Sequence, residues 1–203
     1  MKKSIPGIAL LCISVFMINS CATTQNSVVQ PKPEKEDASL ASVYVIKTDG
    51  STQQYSSLKL VTGVLVTPHL LADGKIVIYP KDVLAYQDGR RYAVSQKLLK
   101  TEKTSFVAAE TLPGFAVRIA KGKLNVYSRK YYNGNVAVTE YFLQSGDEGE
   151  IVAYSPATMK ELIKDNNRAA DYYNSKVKIS PKSKKLMVTA DLYNNPDQYV
   201  SKN

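Results

Sequence analysis

The sequence predicts an α+β fold: a mostly antiparallel β meander, curled or folded as a sandwich or partial barrel, followed by two or three short C-terminal helices. Three observations carry this. Between residues 42 and 154, short alternating runs rich in Val, Ile and Tyr are separated by Asp49-Gly50, Asp73-Gly74, Asp88-Gly89 and Asn133-Gly134, the dipeptides that two-residue hairpin turns favour. No long helical pattern lies between these runs, whereas parallel strands need crossovers of about a dozen residues. After Tyr154 the apolar period lengthens from two to nearer 3.6.

In chain order, 43–47 and 52–55 flank Asp49-Gly50, with further strands expected at 58–62 and 63–67. Asp73-Gly74 joins 69–72 to 75–79, and Asp88-Gly89 joins 83–87 to 90–94. Residues 106–111 form another candidate strand, and Lys121-Gly122 links 116–120 to 124–130. Asn133-Gly134 turns 129–132 back into 136–143, and the acidic turn Gly146-Asp147-Glu148-Gly149 leads into a closing strand at 150–154. Alternation names an inward set: Val43, Val45, Leu58, Leu60, Ile76, Ile78, Leu84, Val94, Phe106, Phe115, Val117, Ile119, Leu124, Val126, Val136, Val138, Phe142 and Ile151.

Ser155-Pro156 has the form of a helix N-cap with proline at the first helical position, and Met159, Leu162 and Ile163 give that helix one apolar stripe. Residues 168–175 form a second short helix after the break at Asp165-Asn166-Asn167. Ser180-Pro181 repeats the cap before Leu186, Val188, Ala190, Leu192 and Tyr193, and Asn194-Asn195-Pro196 ends the third helix.

The N-terminal stretch has a different character. A basic start, about eleven mostly apolar residues at 8–18 and a small residue, Ser20, before Cys21 have the layout of a secretory signal. The apolar run falls well short of the roughly twenty residues that a spanning helix needs. Residues 1–20 are therefore expected to be a removed signal peptide. Cys12 leaves with it, so Cys21 has no partner for a disulfide in the mature chain.

Ile18-Asn19-Ser20-Cys21 resembles the lipobox of bacterial lipoproteins, with Asn19 where a small residue is usual. The resemblance implies that the Cys21 thiol is alkylated with diacylglycerol and that palmitate-type acyl chains anchor the mature protein to a membrane. The alternative is an ordinary signal peptide cut near Ser20, which would leave an unpaired thiol in an oxidising compartment. Ala22 rather than aspartate after the cysteine, with Glu34 as the first acid, implies by the same resemblance the periplasmic face of the outer membrane.

Residues 21–41 comprise the lipidated cysteine and a polar segment containing Pro31 and Pro33, expected to be a flexible tether. Its twenty residues beyond the cysteine reach about 25 Å. Residues 42–203 are expected to form one globular domain, β-rich over 42–154 and helical over 155–195, with 196–203 as its end. Loss of Lys2 and Lys3 lowers the formal net charge by two, from +9 to +7. That mild basicity fits lysines on solvated strand faces or attraction to anionic headgroups and glycans, and an extracytoplasmic address disfavours nucleic acid.

The order of 141–144 and Gly146-Asp147, then 150–152, 159–165 and 191–194, resembles uncharacterised exported lipoproteins of Bacteroidota that place a β-rich half before a short helical tail. The resemblance implies a fold and a compartment and supplies no catalytic residue.

No motif points to an enzyme. The sole histidine, His69, precludes the usual zinc ligand sets, and no nucleophile elbow, Walker loop or cysteine nucleophile occurs. Gly146-Asp147-Glu148-Gly149-Glu150 lacks the ligand ladder of a calcium loop and reads as a polar hairpin. No catalytic residue, metal site or cofactor is therefore expected. Arg90-Arg91-Tyr92 and Arg129-Lys130-Tyr131-Tyr132 combine cations with aromatics near tight turns. They are a candidate partner-binding patch if both hairpins lie at one edge of the sheet. The same residues also suit strand ends that resist aggregation. The function expected is a membrane-anchored, non-enzymatic binding or scaffold module for an envelope protein or glycan. The alternatives are a carrier of a small apolar ligand in a curled sheet and a carboxylate-based hydrolase of glycans.

Overall fold

A computed structural model describes residues 42–63, 65–101, 110–134, 136–175 and 182–199. Residues 1–41, with the signal peptide, Cys21 and the tether, lie outside the described residues. So do Phe106, most of the strand expected at 106–111, the Ser180-Pro181 cap and residues 200–203.

The expected α+β architecture is present. Strands β1 (Val43–Lys47), β2 (Thr52–Gln54), β6 (Val83–Asp88), β7 (Tyr92–Ser95), β8 (Leu99–Lys100), β9 (Phe115–Ala120), β10 (Leu124–Asn133), β11 (Val136–Ser145) and β12 (Ile151–Ala153) form one sheet. Its spatial order is β2-β1-β6-β7-β9-β10-β11-β12-β8. Strands β3 (Leu58–Gly63), β4 (Val66–Ala72) and β5 (Ile76–Ile78) form a second sheet. The Asp-Gly and Asn-Gly dipeptides join neighbouring antiparallel strands as expected. At Asp73-Gly74 both residues have positive φ, 51° and 70°, as a type I′ turn requires.

One pairing departs from the meander: β8 runs parallel to β12, with Leu99 opposite Ile151. This pairing shows why the sheet must curl. Strands β7 and β8 stand five places apart in the sheet order, roughly 24 Å if the sheet were flat. Ser95 and Leu99 are only four positions apart, a step of at most about 14 Å. The sheet therefore bends into a half-barrel, and the chain crosses its mouth through a 3₁₀ turn at Gln96–Leu98.

Both faces of the half-barrel are covered. Its concave side is filled by Ile46, Ala85, Val94, Leu99, Ala116, Tyr127, Phe142 and Ile151. The convex side is covered in two places. The small sheet sets Leu58, Leu70, Ala72 and Ile78 against Val45, Tyr86, Ala93 and Phe115. Three helices, α1 (Pro156–Leu162), α2 (Asn167–Asn174) and α3 (Lys182–Asn194), set Met159, Ile163, Ala169, Leu186 and Ala190 against Leu124, Val126 and Leu143. The Ser155 hydroxyl accepts the Thr158 N–H at 3.0 Å and caps α1. Asn166 caps α2 through Ala169 N–H, also at 3.0 Å.

The core expectations divide accordingly. Val45, Leu58, Ile78, Val94, Phe115, Leu124, Val126, Phe142 and Ile151 are buried, whereas Val43, Leu60, Leu84, Val117, Ile119 and Val138 are half-buried. Ile76 and Val136 are exposed, at 39% and 64%. Ile76 lies on an edge strand of the small sheet. Val136 lies at the end of the β10–β11 hairpin, next to its Asn133-Gly134 turn.

Candidate functional site

A groove of 210 Å³ lies on the convex side where its two covers fail to meet. Its floor is Val117, which packs toward the small sheet, and Ile119, which packs toward the helices. Ser183 and Met187 of α3 form one wall, Glu110 and Thr111 the other, and Ser128, Lys130, Tyr141 and Arg91 complete it.

Local chemistry places the cations. Asp88 Oδ1 accepts the backbone N–H groups of Arg90 and Arg91 at 3.0 and 2.8 Å, closing the β6–β7 turn. Its Oδ2 holds the Arg91 guanidinium through Nε at 3.2 Å and Nη2 at 3.1 Å. Arg91 Nη1 then reaches the Glu110 carbonyl at 3.0 Å. Lys130 Nζ donates to Glu110 Oε1 at 2.8 Å, and this hydrogen bond, with the carboxylate charge, holds its ammonium above the usual lysine range. Glu110 thus joins Arg91 and Lys130, although the two hairpins do not share an edge. Strands β6, β7, β9, β10 and β11 alternate in direction, so the Asp88-Gly89 and Asn133-Gly134 turns open at opposite ends of the sheet.

The remaining patch residues disperse. Arg90 is exposed beside its turn, and Tyr132 is 51% exposed near the opposite turn. Tyr92 lies on the concave side, where the Arg118 guanidinium sits 4.3 Å from its ring centre, and burial pushes its hydroxyl pKa up. Arg129 is 1% exposed. It donates to Glu140 Oε2 and stands 5.3 Å from the Phe142 ring centre. Tyr131 donates to the other Glu140 oxygen at 3.2 Å. Arg129 and Lys130 are adjacent in a strand and so point to opposite faces.

The acidic hairpin is built into the concave side as a polar turn. Asn125 Nδ2 donates to Asp147 Oδ1 at 3.1 Å, and Gln144 Nε2 to the Gly149 carbonyl at 2.8 Å. Tyr127 donates to Gln144 Oε1 at 2.7 Å. His69 Nδ1 lies 2.8 Å from the Thr67 carbonyl, and its ring stands edge-on to Tyr79. Among the described residues no three His, Cys, Asp or Glu side chains converge as a metal site, and no helix is long and apolar enough to cross a membrane.

The sequence reading missed Glu110, Thr111, Ser183 and Met187. They come from a bend and a distant helix, and no local spacing links them to β9 and β10. Compared with known proteins, the chain matches no family model, no curated protein and no solved structure.

Proposed function

We propose that this chain is a lipoprotein of the bacterial envelope, anchored through Cys21 at the periplasmic face of the outer membrane, and that its domain is a non-enzymatic binding module. The groove between the two convex covers carries this reading. It combines two cations, hydroxyl residues Ser128, Tyr141 and Ser183, and an aliphatic floor. That combination suits a sugar polymer bearing carboxylate or phosphate groups: the hydroxyls and cations match its polar edges, and the floor matches its ring faces.

Two observations set the alternatives behind it. Paired-carboxylate hydrolysis needs two acids flanking the bond, whereas Glu110 is the one carboxylate among the described lining residues. A carrier needs an open interior, whereas aromatic and aliphatic side chains occupy the concave side.

Two measurements test the proposal. Mature wild type should partition into detergent and Cys21→Ser should stay in the aqueous phase; equal behaviour of both removes the anchor. Calorimetry with soluble peptidoglycan fragments and envelope polysaccharide should show binding that weakens about tenfold or more in Ser128→Trp and in Lys130→Gln. Unchanged affinity in both variants, at unchanged melting temperature, removes the groove as the binding site.

A further inference from the structure

The small sheet carries a feature that neither the groove nor the core uses. Strand β5 pairs only with Leu70, Leu71 and Ala72 of β4. Val66 to His69 therefore extend four residues past the end of β5, an overhang of about 13 Å. At the apex of this β3–β4 finger Leu65 is 97% exposed and Val66 43% exposed. Over residues 60–72, between Lys59 and Asp73, no Lys, Arg, Asp or Glu occurs, although charged residues make up 22% of the chain. A hairpin tip that faces only water is normally polar and often charged. This one is uncharged from residue 60 to residue 72 and apolar at the apex.

We propose that the β3–β4 finger is a second membrane contact, with Leu65 and Val66 entering the interfacial layer of the same bilayer that holds the acyl chains on Cys21. The proposal rests on the lipoprotein reading. Two further relationships select a bilayer as the occupant.

The first is where the tether joins the domain. The Val43 carbonyl accepts Tyr55 N–H at 2.9 Å, and the Ser57 carbonyl accepts Asp73 N–H at 3.0 Å. The start of β1 thus lies at the base of the finger, seven residues of β4 from the apex, about 23 Å. The twenty residues of 22–41 reach about 25 Å, so the anchor and the apex can meet one bilayer. The second is the backbone. Pairing between β3 and β4 continues to Gly63 opposite Val66. The apex can therefore sit about 5–10 Å deep, among headgroups and the first methylenes, without losing the hydrogen bonds between its own strands. With no charge on 60–72, immersion requires no ion to be desolvated.

The test uses the lipidated mature chain on vesicles of phosphatidylethanolamine and phosphatidylglycerol. Leu65→Cys carries an environment-sensitive fluorophore, and Ser57→Cys, exposed at the finger base, carries the same label as the control. Lipidation occupies the Cys21 thiol, so one label per chain confirms the anchor, whereas two labels show that the lipoprotein reading has failed independently of the finger. A blue shift at position 65, quenched by bromine in the acyl chains and absent at position 57, is the expected result. In the mature Cys21→Ser chain, which lacks the acyl anchor, Leu65→Asp should then lower vesicle partitioning by about tenfold, the scale of one leucine leaving hydrocarbon. A water-like spectrum at position 65 on vesicle-bound protein overturns the proposal. So does a shift that follows protein concentration without vesicles, which would make the finger a contact between copies.

Discussion

Arg129 and Glu140 face each other across β10 and β11, with Nη2 2.6 Å from Oε2 and side chains 1% and 17% exposed. The guanidinium is seated beside the Phe142 ring, in the polar part of the concave side. Removing one member leaves the other charge in a site built for a pair. Glu140→Ala should destabilise the domain by about 3 kcal/mol, measured by urea unfolding. Arg129→Met with Glu140→Leu should recover most of that loss, because replacing both charges removes the desolvation penalty. A loss below about 0.5 kcal/mol in the single variant would place this pair with ordinary surface ion pairs.

The helical tail is held to the sheet by contacts that neither part makes alone. Asn194 Oδ1, at the end of α3, accepts Leu124 N–H at 2.8 Å, and its Nδ2 donates to the Lys121 and Leu124 carbonyls at 3.1 and 3.0 Å. Asn194→Ala should cost about 1–3 kcal/mol through the polar groups it leaves unpaired. Deleting 155–203 would uncover Leu124, Val126 and Leu143 and should broaden or abolish thermal unfolding of the remainder. A sharp, unshifted transition in the truncated chain would show that the tail contributes nothing to that core.

Alkaline pH should weaken the fold through two buried phenols. Burial pushes Tyr86 and Tyr127 up to about 12 each. A folded-state pKa above the unfolded value of about 10 favours the folded state while the phenol is neutral. That contribution is complete below about pH 10 and is lost as pH rises through 12. The melting temperature should fall between pH 10 and 12, and Tyr86→Phe should lessen the fall. Parallel curves for the two proteins would show that the transition follows other groups.

Much of the sheet was legible because tight turns are local chemistry. Asn133-Gly134 leaves few ways to reverse the chain, and counting outward from it sets Asn133 against Val136 and Arg129 against Glu140. The cap at Ser155 is local in the same sense, since its hydroxyl serves an N–H three residues on. Alternation identified half-buried strands but underestimated a sheet covered on both sides. Ile46, Ala85, Ala116 and Tyr127 are buried on the concave side while their neighbours are buried on the convex side, so period two does not separate core from surface there.

The sequence by itself determined the hairpins, the helical tail, the uncharged stretch 60–72 and the arrangement of residues before Cys21, because each depends on neighbours within a few positions. Only the tertiary structure decided the fate of the basic and aromatic residues. Strand parity sent Arg129 into the concave side and Lys130 outward, and Glu110, twenty residues from Lys130, brought that lysine together with Arg91. The curl was decided in the same way: a three-residue crossing from Ser95 to Leu99 must meet β12, and chain length forces the closure that no local pattern encodes. The groove exists because two covers, a small sheet and a helical tail, stop short of each other on one convex face, a relationship between segments far apart in the chain.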